Sequence, residues 1–275
     1  MNTNQFSCAV LVRTARSLLF VPGDRPGRFD QAAAAGADAV ILDLEDAVSS
    51  ERKEIARTEV ASWLDRGDYA CVRVNAVGGP EHQRDLDALR ALPGLLAVMV
   101  PKPDDPARLA AIAEHVRMPM IALVETATSL LRATELAAVP GVERLAFGHL
   151  DYAADIGATP TQTAMRHARS TLVAVSRAAG VAGPIDGVTT AIDDLGGLSK
   201  DVACARELGM TGKLLVHPRQ VVGTHNGFRP TDDEIRWARS VTDATTTGDE
   251  ALSVDGQMVD APVLARAAAL LHQAE

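Results

Sequence analysis

No run of 18 apolar residues occurs in the 275-residue sequence, so a membrane-spanning helix of ordinary length is not expected. The opening stretch, MNTNQFSCAVLVRTARSLLF, has a short apolar patch without the layered order of a secretory leader, and residues 1–14 are expected to form a flexible tail. Cysteine is scarce: Cys8, Cys71 and Cys204 stand far apart, with no CxxC and no Cys–His cluster. That speaks against a disulfide framework and for reduced thiols in a cytoplasmic setting. Positive charge is also short, since 27 Lys and Arg face 36 Asp and Glu for a net charge of -9. Nonspecific binding to nucleic acid is therefore disfavoured, while a local basic pocket can still hold an anionic ligand. The dinucleotide fingerprint GxGxxG is missing, and no low-complexity run exceeds AAAAGADA.

What is present is a rhythm. Eight short apolar runs recur: SLLFVP, DAVILDLE, YACVRVN, LAVMVPK, MIALVET, VERLAFGH, GPIDG and KLLVHP. Each is nearly continuous in apolar residues rather than alternating, as expected of parallel strands covered on both faces. Between them lie helical stretches such as ERKEIARTEVASWLD, DPARLAAIAEHV and TAMRHARSTLVAVSRAAG. Strand–helix–strand units in this number fit an α/β fold of the closed (β/α)8 TIM-barrel type, over residues 15–222. An open doubly wound sheet is the rival, weakened by the missing fingerprint. After Pro218 the rhythm ends. Residues 223–275 are expected to form a C-terminal helical extension, with a helix at TDDEIRWARSVTDATT, a loop or short hairpin, and a last helix. It is expected to pack on the barrel or on a neighbouring subunit.

In such a barrel the chemistry sits at the C-terminal ends of the strands. Those ends supply Asp24 and Arg25, then Asp43, Glu45 and Asp46, then Arg73 and Asn75, Lys102, Glu125, His149 and Asp151, Asp186, and His217. Glu125 and Asp151 suit a shared Mg2+ with water positions left open. The plainer alternative pairs Glu125 with a base and makes Asp151 a helix cap. Arg73 either grips a substrate carboxylate bidentately or pairs with Glu45 or Asp46, and both readings can hold together. Lys102 is read as an anion holder, as a Schiff-base lysine, or as a salt-bridge partner of the mouth acids. His217 and His149 are read first as hydrogen-bonding and loop residues. Asp260 either caps the last helix or reaches an active site.

The segments RSLLFVPGDRPGRF, ADAVILDLEDAVSSERKEIAR, VRVN, VPKPDD, IALVETATSLLRATELA, FGHLDYAADIGA, GKLLVHPRQV and VDGQMVDAPVLARA resemble the citrate lyase beta-subunit-like proteins. These belong to the HpcH/HpaI aldolase superfamily with the malyl-CoA and citramalyl-CoA lyases. The resemblance implies a barrel with a C-terminal extension, assembled as a homotrimer or hexamer. It implies Mg2+-dependent cleavage of a 3-hydroxyacyl-CoA thioester to acetyl-CoA and a 2-keto acid. It makes Glu125 and Asp151 the metal ligands, Arg73 the carboxylate grip, and Glu45 and Asp46 the acids behind that arginine. It makes Asp260 an acid–base group entering from a neighbouring subunit. Arg25 falls on the nucleotide side, and Gly148 and His149 on the substrate side. Many relatives read FGAED or WGAED where this chain reads FGHLD, so His149 and Leu150 are departures beside a retained Asp151. Other readings are a citrate lyase beta subunit acting on citryl-acyl carrier protein, malate-synthase-like or thioesterase activity, aldol cleavage of a free keto acid, and a non-catalytic barrel subunit.

Overall fold

The computed structural model describes residues 3–245, 252–254 and 257–274. Eight parallel strands close into a barrel in chain order: β1 (Ser17–Pro22), β2 (Ala39–Asp43), β3 (Ala70–Arg73), β4 (Leu95–Pro101), β5 (Met120–Val124), β6 (Val142–Phe147), β7 (Ala182–Asp186) and β8 (Gly212–Leu215). β8 returns to β1 through Ser17 opposite Lys213 and Leu19 opposite Leu215, so the sheet has no free edge. β2, β4 and β5 are buried at every position. One face of each strand looks into the barrel and the other meets the helices.

The barrel interior is filled by Leu18, Ile41, Cys71, Ala97, Met99, Ile121, Leu123, Ala146, Ile185 and Leu214. Each large apolar side chain withdrawn from water contributes on the order of 1.5–3 kcal/mol. The surrounding helices start and stop on local signals. In the helix Gln162–Ala179, the Thr161 side chain accepts from the Ala164 N–H, and Gly180 ends the helix in the left-handed region at φ 73°. Met165, Ala168, Arg169, Leu172 and Ser176 form its buried face.

Residues 3–14, expected to belong to a loose tail, instead form a helix, Thr3–Thr14. Its buried Cys8 and Val12 join the same apolar cluster as the barrel interior, and Ala15 follows them in. The anchor is Arg144 of β6, which is fully buried. Its guanidinium donates to the carbonyls of Val12 (3.0 Å), Ala15 (2.5 Å) and Gly183 (2.7 Å) and to Thr211 Oγ1 (2.8 Å). Burial pulls its pKa down to about 9, against the opposing pull of Asp38. The carbonyls at the end of a helix have no partner within the helix, so a buried cation there satisfies groups that would otherwise be orphaned.

The chain divides into two compact units, residues 1–225 and 226–275. Within the second, the helices Asp232–Thr245 and Ala261–Ala274 pack through Ala238, Val241, Ala267 and Leu270. The Arg266 guanidinium lies 5.1 Å from the Trp237 ring centroid. Strands β9 (Leu252–Val254) and β10 (Gln257–Val259) pair antiparallel, which realises the expected short hairpin.

Arg144→Met is expected to lower unfolding free energy by about 2–4 kcal/mol, because buried acceptors lose their donor. Urea unfolding measures this. A change below about 0.5 kcal/mol would show that Arg144 does not anchor the first helix.

Candidate active site

Strand pleating decides which acids of DLED face the barrel mouth. Asp43 and Glu45 are two residues apart and project to the same side, while Asp46 falls out of that alternation. Asp43 also lies directly opposite Arg73 in the β2–β3 ladder. Arg73 accordingly forms a fork on Asp43, with Nε to Oδ1 at 2.8 Å and Nη2 to Oδ2 at 2.5 Å. Its Nη1 lies 3.1 Å from Glu45 Oε2, and its guanidinium sits 4.8 Å from the Phe20 ring centroid. Asp43, rather than Asp46, thus completes the acid pair behind Arg73. Burial works against the charge on Arg73, but Asp43 and Glu45 hold its pKa above the ordinary arginine value.

Lys102 ends β4 in a left-handed conformation, φ 47°. A non-glycine residue adopts that region only when its surroundings hold it there. The kink aims both ends of the residue at the acids. Its backbone N–H donates to Glu125 Oε1 at 3.1 Å, and its ammonium donates to Glu45 Oε1 at 2.9 Å. The same ammonium lies 3.5 Å from Asp46, 3.5 Å from Glu125 and 3.9 Å from Asp151. Burial opposes its charge, and Glu125, Glu45 and Asp46 together raise its pKa. The salt-bridge reading of Lys102 is the geometry observed.

Glu125 follows β5, and its carboxylate side chain is 1% exposed. Burial raises its pKa to about 8 against the opposing pull of Lys102, with Glu45 and Asp151 adding to the rise. Such a carboxylate gains from any cation brought to it. Asp151, on the helix His149–Asp155, is half exposed and faces the same ammonium. Gly148 is the link between them. A Cβ there would come within 2.4 Å of Glu125 Oε2, so only glycine lets the end of β6 pass this close.

The acids border a cavity of about 280 Å3, whose lining includes Asp43, Asp46, Arg73, Glu125, Gly148, His149 and Asp151. His149 is buried and its ring packs on Gly187, where a Cβ would come within 2.1 Å of Nδ1. Burial lowers its pKa to about 4; Asp186 opposes the fall, and Arg169 and Lys213 add to it.

The other strand-end residues serve the frame. Asp24 receives Arg52 Nε at 2.6 Å, and the exposed Arg25 lies 3.6 Å from Asp24. Asn75 donates to Asp85, which also takes Arg57. Asp186 is fully buried and held by Arg169 at 2.7 Å and Lys213 at 3.4 Å. His217 Nδ1 accepts from the Arg219 N–H at 3.2 Å. Asp260 is exposed, and its Oδ1 accepts from the Val263 N–H at 3.1 Å, capping the last helix.

Among the described residues no three His, Cys, Asp or Glu side chains gather as a ready metal cage. Glu125 and Asp151 instead offer two hard oxygen donors, 3.5 and 3.9 Å from the Lys102 ammonium. That donor set fits Mg2+, which keeps several water or substrate oxygens in its shell. The class defined by this fold and rim is a TIM barrel whose mouth gathers four carboxylates around one ammonium beside a braced arginine.

Comparison narrows the class. The model of the HpcH/HpaI aldolase/citrate lyase family matches residues 16–218, and the chain belongs to that family. A (3S)-malyl-CoA thioesterase of Cereibacter sphaeroides is 33% identical over 271 residues, covering 94% of each chain. The structure of the CitE protein of Mycobacterium tuberculosis with magnesium, acetoacetate and coenzyme A superposes with a TM-score of 0.84 at 35% identity. The match covers 95% of this chain and 99% of that one. A citrate lyase beta subunit of the same organism, complexed with oxaloacetate and magnesium, matches with a TM-score of 0.71 at 34% identity, over 80% and 99% of the two chains.

Asp186 gives a test of the frame. Burial would raise its pKa, but Lys213 and Arg169 lower it below the ordinary aspartate value. The folded state therefore binds this proton less readily than the unfolded chain. The associated stability is full above about pH 4 and is lost as pH falls through the lowered value. Asp186→Asn should cost about 3–5 kcal/mol at neutral pH, because Arg169 and Lys213 stay buried without their acid. It should also flatten the acid limb of a stability–pH curve from denaturant unfolding. An unchanged acid limb would contradict the assignment.

Proposed function

We propose that the protein is a Mg2+-dependent carbon–carbon lyase that cleaves a 3-hydroxyacyl-CoA thioester of the citramalyl or malyl type into acetyl-CoA and a 2-keto acid. The observation that carries this reading is the convergence of Glu125 and Asp151 on one cation position, 3.5 and 3.9 Å from the Lys102 ammonium, beside Arg73. The magnesium, coenzyme A and keto acids held by the family's solved structures support it.

Glu125 and Asp151 would hold Mg2+, which when bound polarises the substrate hydroxyl and the carbonyl that replaces it. Arg73 has five N–H groups, of which Asp43 accepts two, while Glu45 Oε2 lies in ion-pair contact at 3.1 Å. Donors on both terminal nitrogens are left to receive the substrate carboxylate, and the fork on Asp43 fixes the plane in which it is received. Lys102 braces Glu45 and Glu125 together and so ties the arginine side of the pocket to the metal side. In the reaction, the hydroxyl loses its proton to a base and its carbon becomes a ketone. The adjacent carbon–carbon bond breaks, and its electron pair passes into the thioester as an enolate. Protonation of that enolate completes acetyl-CoA. Asp260, carried on a neighbouring subunit of a homo-oligomer, is proposed as the acid that delivers this proton. Arg25, exposed at the rim after β1, is proposed to meet the nucleotide end of the thioester.

The Cereibacter relative supports a second reading in which the thioester is hydrolysed. Product analysis separates the two, because only cleavage of the carbon skeleton yields acetyl-CoA and a keto acid.

Glu125→Ala and Asp151→Ala are each expected to reduce Mg2+-dependent cleavage of citramalyl-CoA or malyl-CoA by at least about a thousandfold, with circular dichroism unchanged. Full turnover in either variant would remove the metal assignment. Asp260→Asn should keep Mg2+ binding by calorimetry and lose turnover, and retained turnover would leave Asp260 as the helix cap alone.

A further inference from the structure

Most side chains that line the cavity are acids or apolar groups, and Arg73 is the single arginine among the described ones. No hydroxyl or amide side chain lies among the described lining residues, so His149 is the one group there that is neither acid, arginine nor apolar. It opens the helix His149–Asp155 directly after Gly148 and is buried. Two neighbouring strands hold its ring. The Phe147 ring, at the end of β6, lies 6.2 Å away at 52°, and Nδ1 stands within 2.1 Å of where a Cβ on Gly187, just past β7, would fall. That seat is fixed in turn. The Gly187 carbonyl accepts from Lys213 Nζ at 2.6 Å, and Lys213 and Arg169 both pair with the buried Asp186. Among the described residues the imidazole takes no protein hydrogen bond, yet neither ring nitrogen is sealed from solvent, so its polar edge opens on the cavity. A rigidly seated hydrogen-bonding group at a cavity wall, with no protein partner, suits a ligand atom whose charge changes during reaction.

Resting on the lyase reading above, we infer that His149 is a catalytic residue that donates a hydrogen bond to the thioester oxygen as that oxygen takes up the enolate charge. The assignment follows from what each part of the wall can bear. The hydroxyl and carboxylate of the substrate are claimed by the Glu125–Asp151 side and by Arg73. The thioester oxygen is the remaining polar atom at the reacting centre. When the carbon–carbon bond breaks, its electron pair forms the enolate double bond, and the carbonyl pair moves onto this oxygen. The acids of the lining would repel that charge, and the apolar residues would leave it without a partner. An imidazole N–H stabilises it, and the ring can donate whether neutral or charged. The proton stays on the imidazole nitrogen throughout. The proton that completes acetyl-CoA goes to carbon and comes from a separate acid, so the two tasks do not compete. A donor already held in place needs no reorganisation as the charge forms.

His149→Phe keeps a ring in the seat and removes both nitrogens, whereas His149→Gln keeps a donor. With Mg2+ and citramalyl-CoA or malyl-CoA, His149→Phe should lower kcat on the order of a hundredfold while KM stays within about threefold, the mark of a contact made in the transition state. Calorimetry should find its Mg2+ and pyruvate affinities within about threefold of the wild type, since neither ligand carries the thioester oxygen. His149→Gln should recover at least about tenfold of the lost kcat. Exchange of the acetyl-CoA methyl hydrogens in heavy water, with Mg2+ and pyruvate present, reports enolate formation and should rank wild type above Gln above Phe. Turnover is expressed per pyruvate-binding site counted by the same titration, so incomplete folding cannot imitate the loss. A kcat for His149→Phe within about threefold of the wild type overturns the inference. Equal kcat in the Phe and Gln variants overturns it too, as does a loss of Mg2+ or pyruvate affinity as large as the loss of kcat. Wild-type protein that cleaves no thioester and binds no keto acid overturns the lyase reading, and this inference with it.

Discussion

The barrel rim depends on one electrostatic arrangement, a cluster of acids kept ionisable by two cations. Asp43, Glu45 and Glu125 are withdrawn from water at the ends of β2 and β5, with Asp46 and Asp151 at the edge. Left alone, such a group would repel itself and take up protons. Arg73 answers the β2 acids with a planar fork, and Lys102 reaches four carboxylates with a point charge. The division of labour follows from shape. A guanidinium fixes direction and a flexible ammonium averages over several partners. The braced arginine is therefore held in one plane, while the Glu125–Asp151 side is answered by the single ammonium of Lys102.

That division explains why the two ends of the barrel differ although both bury an arginine. Arg144 meets only neutral acceptors, the carbonyls of Val12, Ala15 and Gly183 and the hydroxyl of Thr211. It has no carboxylate to bind and closes the floor by satisfying the end of the first helix. Arg73 meets acids and keeps donors free toward a cavity. The same side chain closes the floor at one end and borders the cavity at the other, and the partners decide which.

Most of the architecture was legible because parallel strands buried on both faces write themselves as continuous apolar runs. VILDL, LAVMV and MIALV admit few other readings once eight such runs recur. The first helix was not legible. Its apolar residues face the floor of a barrel formed by distant segments, and nothing within MNTNQFSCAVLVRT announces that floor. A signal lay elsewhere, in the lone arginine of VERLAF, which as a buried strand cation required acceptors. Glu125, Asp151, Arg73 and Glu45 were legible as strand-end groups and do converge. Asp43 was passed over in favour of Asp46, although strand alternation alone puts Asp43 and Glu45 on one side. The place of Lys102 depends on a left-handed backbone, which residue identity does not encode at a non-glycine position.

One side of the cavity lining is bound into the ion network and the other is not. The residues that would stabilise the developing charges are tied to one another through Lys102 and Arg73, so altering one disturbs several. Val188, Leu214 and Val216 have no such ties. Val216 is partly exposed at the mouth and Val188 is only packed against the core cluster. Changes there alter the volume and polarity of the cavity while leaving the ion network intact. The ion network ties the strand ends from β2 to β6, and the apolar lining beyond β7 and β8 stands apart from it.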